Sequence, residues 1–171
     1  MAIKIKDIPP EGLDLRLDQQ VDLFDGGSAT TAFKAVLHIV PEQQGAVHIS
    51  GHVQSIPQLE CSRCLEVFPF EIDMDVSVDL SPASLLGREG EHELVHGELD
   101  VEFYQGEEID PLEIVREQML IAIPMVPLHS PDCKGLCSEC GTDLNKRDCG
   151  HTRNAPGEFG AFSVLKDLLK K

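Results

Sequence analysis

The sequence predicts an α+β fold: an antiparallel β-sheet or partly closed barrel, a central helix, a cysteine-rich loop region and a C-terminal helix. Three observations predict it. From Phe68 to Leu80 apolar residues fall at every second position, and Glu71, Asp73, Asp75, Ser77 and Asp79 fill most of the gaps. That is the period of a strand with one buried and one solvated face. From Asp110 onward the period becomes helical, with Leu112, Val115, Met119 and Ile123 on one face. Between this helix and the last apolar stretch lie Cys133, Cys137, Cys140 and Cys149.

The elements follow in order. Gly26-Gly27-Ser28 reads as a turn. Phe33 to Val40 is a short apolar run ended by Pro41. Residues 45–56 alternate, with Val47, Ile49 and Val53 on one side and His48, Ser50, His52 and Gln54 on the solvent side, which marks a half-buried strand. Glu42 to Gly45 is the hairpin loop between the two. After the 68–80 strand, residues 81–97 lack periodicity and read as a loop with a short helical turn. Leu99, Val101 and Phe103 alternate again until Gln105-Gly106.

Helix 111–123 is well punctuated. Asp110 suits the N-cap, Pro111 the first helical position, and Glu113 stands three residues after the cap. Pro124 ends the helix, and Pro127 keeps the next stretch extended. A last helix is expected over about 158–169, with Phe162, Leu165 and Leu169 on one face and Lys166, Lys170 and Lys171 toward its C-terminus. The expected organisation is a β-rich domain over 1–128 and a Cys-rich segment with its helix over 129–171, packed together as one unit.

The chain has 171 residues, 42% apolar and 26% charged, the balance of a globular domain with a real core. Its net charge of −16 is unevenly spread. From Glu71 to Glu117, fifteen acidic residues face only Arg88 and Arg116, whereas from Pro131 to Lys171 seven Lys/Arg face six Asp/Glu. An acidic middle repels phosphates, attracts basic partners and serves solubility. Trp is absent and Tyr104 is the only tyrosine, so a surface built on aromatic stacking is not expected. No segment reaches the roughly 18 apolar residues of a membrane span. The N-terminal residues have no apolar core of a secretory signal, so a cytoplasmic location is expected.

In a reducing compartment the six cysteines read as metal ligands or redox groups rather than disulfides. Cys61-Ser62-Arg63-Cys64 lies between two strands; Cys137-Ser138-Glu139-Cys140-Gly141 follows the central helix, flanked by Cys133, Cys149, His129 and His151. Two residues between cysteines let both sulfurs face one ion from a tight turn, and a structural zinc takes four such ligands tetrahedrally. One structural zinc is therefore expected, held in a zinc-knuckle region.

Two ligand sets are open. One joins Cys61 and Cys64 to Cys137 and Cys140. The other is local: Cys133, Cys137 and Cys140 completed by Cys149, His151 or His129. Cys137 and Cys140 belong to both. Loop-closure entropy favours the local set only weakly, because it grows as the logarithm of loop length. A thioredoxin-type redox pair fits less well, since neither CxxC opens a helix after a parallel strand. No phosphate-binding loop, dinucleotide fingerprint or nucleophile elbow is present. His48 and His52, about 13 Å apart on a strand, read as solvent-facing, and His92 and His96 lie in the acidic loop.

The run Leu59-Glu60-Cys61-Ser62-Arg63-Cys64-Leu65 resembles the first signature of the YceD family, the large ribosomal RNA subunit accumulation proteins. Asp110-Pro111 leading into Ile123-Pro124-Met125-Val126-Pro127-Leu128-His129 is similar too, and the segment from Cys133 to Asn145 resembles the second signature. The resemblance covers about residues 50–171. It implies a non-enzymatic role in accumulation of 23S ribosomal RNA and assembly of the large subunit, with no catalytic residue and no small-molecule substrate. Many members carry Cys where this chain has His129. The implied partner is a pre-large-subunit particle, met through a basic ribosomal protein at the acidic face, with RNA contact left to Lys134, Lys146, Arg147 and Arg153 in the 134–153 region. Two other classes stay open: a thiol oxidoreductase or zinc hydrolase, and a zinc-stapled interaction module unrelated to ribosomes.

Overall fold

The computed structural model describes residues 2–24, 30–85 and 101–151. The helix expected over 158–169, most of the 81–97 loop, His92, His96 and Arg153 lie outside them.

In chain order the elements are β1 (Ile3–Lys4), β2 (Leu13–Asp22), β3 (Thr30–Pro41), β4 (Val47–Ser55), β5 (Gln58–Glu60), β6 (Val67–Pro69), β7 (Ile72–Pro82), β8 (Val101–Tyr104), β9 (Glu108–Ile109) and α1 (Pro111–Ala122). The main sheet has five strands in the order β2-β3-β4-β7-β8. Strands β3 and β4 form the expected hairpin, in register Ile39↔Ile49, and β7 lies against β4 with Ile49↔Val78. The pairs β1–β9 and β5–β6 are small separate ladders.

The sequence expectation of a partly closed barrel is corrected. The sheet is open, since its edge strands β2 and β8 do not pair with each other. Its apolar face is covered instead by α1, and Val115 and Met119 are fully buried with Phe33, Leu37, Ile39, Ile49 and Val53 in one core. The sheet is also not wholly antiparallel: β8 joins β7 in parallel, Asp79↔Val101. Residues 83–100 separate them, long enough for the crossover that a parallel pair needs. Tyr104 then donates to the Gly45 carbonyl at 2.8 Å and ties β8 to the β3–β4 turn.

Helix α1 begins as the residues dictate. The Asp110 carboxylate accepts from the Leu112 N–H at 2.9 Å, and Pro111 takes the first helical position. The helix ends at Ala122, before Pro124. Arg116 fastens it to the end of β2, its Nε donating to the Asp22 carbonyl at 2.8 Å and its Nη2 to that of Leu23 at 3.3 Å.

The outer face of the sheet is not simply acidic. His48 faces Asp79 at 2.6 Å and His38 faces Asp14 at 2.7 Å. His52 is gripped at both ring nitrogens, by Asp75 and Asp73, each at 2.9 Å. Its pKa is raised above 6.5, chiefly by the hydrogen bond to Asp75; desolvation opposes this, and the Asp73 and Asp75 charges add to the rise. A raised folded-state pKa stabilises the fold below pH 6.5, and the contribution is lost as pH rises through the folded value. In an NMR titration His52 should titrate above 6.5, and Asp75→Asn should lower its midpoint. A midpoint at or below 6.5 in the parent protein would show that these contacts do not persist in solution.

Candidate metal centres

Strands β5 and β6 are joined by a turn that carries Cys61 and Cys64. The Cys61 N–H donates to the Glu66 carbonyl at 2.9 Å, and the Leu65 N–H to the Cys61 carbonyl at 2.9 Å. After α1 the chain makes the same turn again. The Cys137 N–H donates to the Thr142 carbonyl and the Gly141 N–H to the Cys137 carbonyl, both at 2.8 Å. The outer pairs match as well: Glu60↔Val67 in the first turn and Leu136↔Asp143 in the second. The two CxxC segments are thus two copies of one knuckle, each aiming two sulfurs at one point.

Both turns need a left-handed residue directly after the second cysteine. In the second knuckle this is Gly141, φ +70°; in the first it is Leu65, φ +63°. A left-handed conformation costs a residue with a Cβ about 1–2 kcal/mol, which glycine escapes. Leu65 is 56% exposed, so little packing offsets the strain. Leu65→Gly should therefore raise stability by about 0.5–1 kcal/mol in denaturant unfolding, after glycine's greater unfolded-state entropy is deducted. A loss of stability would mean that the Leu65 side chain has a holding role.

Each knuckle is completed by a different pair. Cys61 and Cys64 meet Cys133 and His129, while Cys137 and Cys140 meet Cys149 and His151. Within each group one donor atom per residue lies within 4.8 Å of all the others. The sulfurs of Cys61 and Cys133 are 3.8 Å apart, Cys64 Sγ is 3.3 Å from His129 Nδ1, and Cys137 Sγ is 3.6 Å from His151 Nδ1. A tetrahedron with metal–sulfur bonds near 2.3 Å has edges of about 3.8 Å. The donor sets fit such an ion.

The structure therefore brings all six predicted cysteines into clusters but divides them as neither single-site set does. Cys61 and Cys64 do not join Cys137 and Cys140, and Cys133 joins the first knuckle rather than the second. His129 and His151, considered only as alternative fourth ligands, each complete a cluster. Their spacing, His129 four before Cys133 and His151 two after Cys149, was the available signal.

The two clusters differ in burial. Cys61, Cys64 and Cys133 are buried, with Phe68 and Leu128 packed on them. Phe68 meets the His129 ring edge-on at 6.5 Å between centroids. In the second cluster only Cys137 is buried, and Cys140 is exposed.

Electrostatics inside the first cluster is uneven. Burial opposes ionisation of Cys61, yet the backbone N–H groups of His129, Arg63 and Cys64 together with the His129 side chain hold its thiol down at about 5. Burial and the neighbouring sulfurs of Cys61 and Cys133 push Cys64 up to about 11, against the Glu66 N–H. Metal ligation needs deprotonated sulfurs, so binding of a cation here releases protons and depends on pH. In the second cluster the Thr142 hydroxyl and N–H hold Cys140 down at about 6.

The clusters are stitched together. The Arg63 Nη1 donates to the Cys133 carbonyl at 2.9 Å, and the Arg63 carbonyl accepts from the Leu136 N–H at 3.0 Å. Gly135, φ +75°, lets the chain pass this close, for a Cβ there would stand 3.0 Å from the Arg63 carbonyl oxygen. Asn145, in the loop of the second knuckle, donates to Cys133 Sγ at 3.5 Å and accepts from the Lys134 N–H at 2.8 Å. A side chain of one knuckle thereby supports a sulfur of the other.

An open sheet backed by a helix, with one Cys3His cluster joining a hairpin to the segment after the helix and a second, local one beside it, defines a small β-rich protein with two candidate metal centres. The profile of the large ribosomal RNA subunit accumulation protein YceD matches residues 49–169. The chain belongs to the YceD family. It is 27% identical over 99 residues to the large ribosomal RNA subunit accumulation protein YceD of Haemophilus influenzae, covering 58% of this chain and 55% of that one. It is 32% identical over 66 residues to the chloroplastic YCED homolog 1 of Arabidopsis thaliana, covering 37% of this chain and 20% of that one. The matched segments span about half of the bacterial relative and a fifth of the plant one. No solved structure matches the chain. Among the described residues no helix is long and apolar enough to cross a membrane.

Proposed function

We propose that this protein is a non-enzymatic factor supporting accumulation of 23S ribosomal RNA and assembly of the large ribosomal subunit, with two structural zinc ions as its staples. Family membership supports the ribosomal role. The observation that carries the non-enzymatic reading is the donor count: each cluster supplies four protein ligands, three of them sulfur. A catalytic zinc keeps a position open for water or substrate, whereas four donors close the sphere. Thiolates held by zinc are also withdrawn from redox exchange, which weighs against a thiol oxidoreductase.

The partner we assign is a pre-large-subunit particle in the cytoplasm, met through a basic ribosomal protein at the acidic sheet face. Such an electrostatic contact weakens with salt. The direct test is affinity isolation of the tagged protein with identification of co-purifying RNA and protein. Enrichment of large-subunit precursor over small-subunit RNA is expected. Recovery of neither ribosomal RNA nor ribosomal protein would reject the assignment and leave a zinc-stapled interaction module.

A further inference from the structure

The loop that follows the second knuckle curls back beside Lys134 and leaves a cavity of about 550 Å³. Its walls include Lys134, Asn145, Lys146, Arg147, Asp148 and His151. Among the described residues three cationic side chains and the Asp148 carboxylate line this concavity, in a chain whose net charge is −16, and Lys146 is also paired with Asp143 and Glu66 at its edge. The outer sheet face differs: there the exposed Asp73, Asp75 and Asp79 along β7 are paired with His52 and His48.

The cations are placed rather than scattered. The N–H groups of Lys146 and Arg147 both donate to the Asp143 carbonyl at 3.2 Å, so the turn fixes their backbone positions. The Lys146 ammonium is drawn between Asp143 at 3.4 Å and Glu66 at 3.7 Å. Arg147 makes no ion pair among the described residues, and its planar fork is the group best suited to a phosphate. His151 turns Nδ1 toward Cys137 while its ring lines the cavity, so the second metal cluster holds one wall in place. The cavity's size falls within the range of small ligand sites, about 300–1,000 Å³.

We propose that this cavity binds the phosphodiester backbone of RNA, with Arg147 as the main phosphate contact and Lys134 and Lys146 as flanking charges. The identity of the anion rests on the ribosomal reading above; the cavity and its charge do not. Phosphate contacts position a protein on nucleic acid without reading sequence, so binding here is sequence-tolerant and strongly salt-dependent.

The test uses the zinc-loaded full chain and a labelled mixed-sequence single-stranded RNA oligonucleotide, titrated at several salt concentrations. Arg147→Glu is expected to weaken binding at least tenfold near physiological salt. Arg147→Ala should reduce the slope of log affinity against log salt by about 0.7, the loss of one phosphate contact. Arg147→Lys should keep most of the affinity, and Lys134→Glu, across the cavity, should reproduce the loss. Zinc content and thermal midpoint, read on each variant, separate lost contact from lost fold. Wild-type affinity in both charge reversals would overturn the proposal, as would absence of RNA binding by the parent protein. If the parent still co-purifies with large-subunit precursor in that last case, the ribosomal reading stands and its contact is a protein.

Discussion

Chelation of the purified protein should release two zinc ions per chain and lower its thermal midpoint by roughly 8–16 °C. The size follows from where the first cluster sits. Cys61 and Cys133, 72 residues apart in sequence, bring the β5–β6 hairpin onto the segment after α1. The supporting contacts there are a handful of hydrogen bonds, from Ser62 to Pro127, from Arg63 to Cys133 and from Leu136 to Arg63. Among the described residues the apolar side chains packed on the cluster are Phe68 and Leu128. Without a cation, three buried sulfurs and the His129 ring converge on one site with no covalent link between them. Metal-binding free energy is folding free energy for such a region. A loss of about 4 kcal/mol corresponds to roughly 8–16 °C in a chain of this size. Cys61→Ser or Cys133→Ser should reproduce most of the effect. Cys140→Ser, at an exposed position in the second cluster, should cost less. The sheet itself should survive, because its core lies between β2–β7 and α1, so far-ultraviolet circular dichroism at low temperature should change little.

Gly51→Ala should destabilise the protein by about 3 kcal/mol, or prevent its folding. Gly51 lies in the middle of β4, opposite Leu37 on β3 and Val76 on β7. A Cβ at this position would press on the Val36 carbonyl oxygen and stand 2.9 Å from the Leu37 Cα. Both are backbone atoms of a paired strand and cannot swing away as a flexible side chain would. Overpacking a well-filled core costs about 1–3 kcal/mol, and backbone obstruction lies at or beyond the top of that range. Glycine inside a strand marks this kind of close approach. Urea unfolding of Gly51→Ala beside Gly106→Ala provides the contrast. Gly106 has nothing within 4 Å of its Cβ position but sits at φ +86°, so its substitution carries backbone strain alone. Similar small losses in both would show that β3 and β4 are less closely packed than described.

Much of the fold was legible because it rests on local period. The alternation of Ile72, Val76, Val78 and Leu80 became the buried face of β7, and the cap and prolines around α1 set its ends to within a residue. Strand β2 carried the same signal in Leu13, Leu15 and Leu17, but its polar stretch at Asp18-Gln19-Gln20 diluted the pattern. The parallel placement of β8 depends on a crossover rather than on residue spacing.

The metal residues were legible as a set, and their division was not. Spacing within a CxxC reports that two sulfurs converge; it does not report which distant residues arrive. Cys133 and Cys137 are four residues apart, yet the turn at Gly135 sends them to different clusters. At that turn the chain passes hard against Arg63, a contact between residues 72 positions apart that spacing within a CxxC does not report. The two knuckles share Cys-Ser-x-Cys in sequence, Cys61-Ser62-Arg63-Cys64 and Cys137-Ser138-Glu139-Cys140, and their hydrogen bonds show that the turns match beyond it.

Zinc stoichiometry by native mass spectrometry, on the parent protein and on Cys64→Ser and Cys149→Ser, tests the two-centre account most directly. The account predicts two zinc ions in the parent and at least one in Cys149→Ser, whose first cluster is intact. It predicts one in Cys64→Ser if the second knuckle, local to residues 137–151, holds its own ion. A single zinc in the parent, lost completely on either substitution, would contradict it and restore one mixed site.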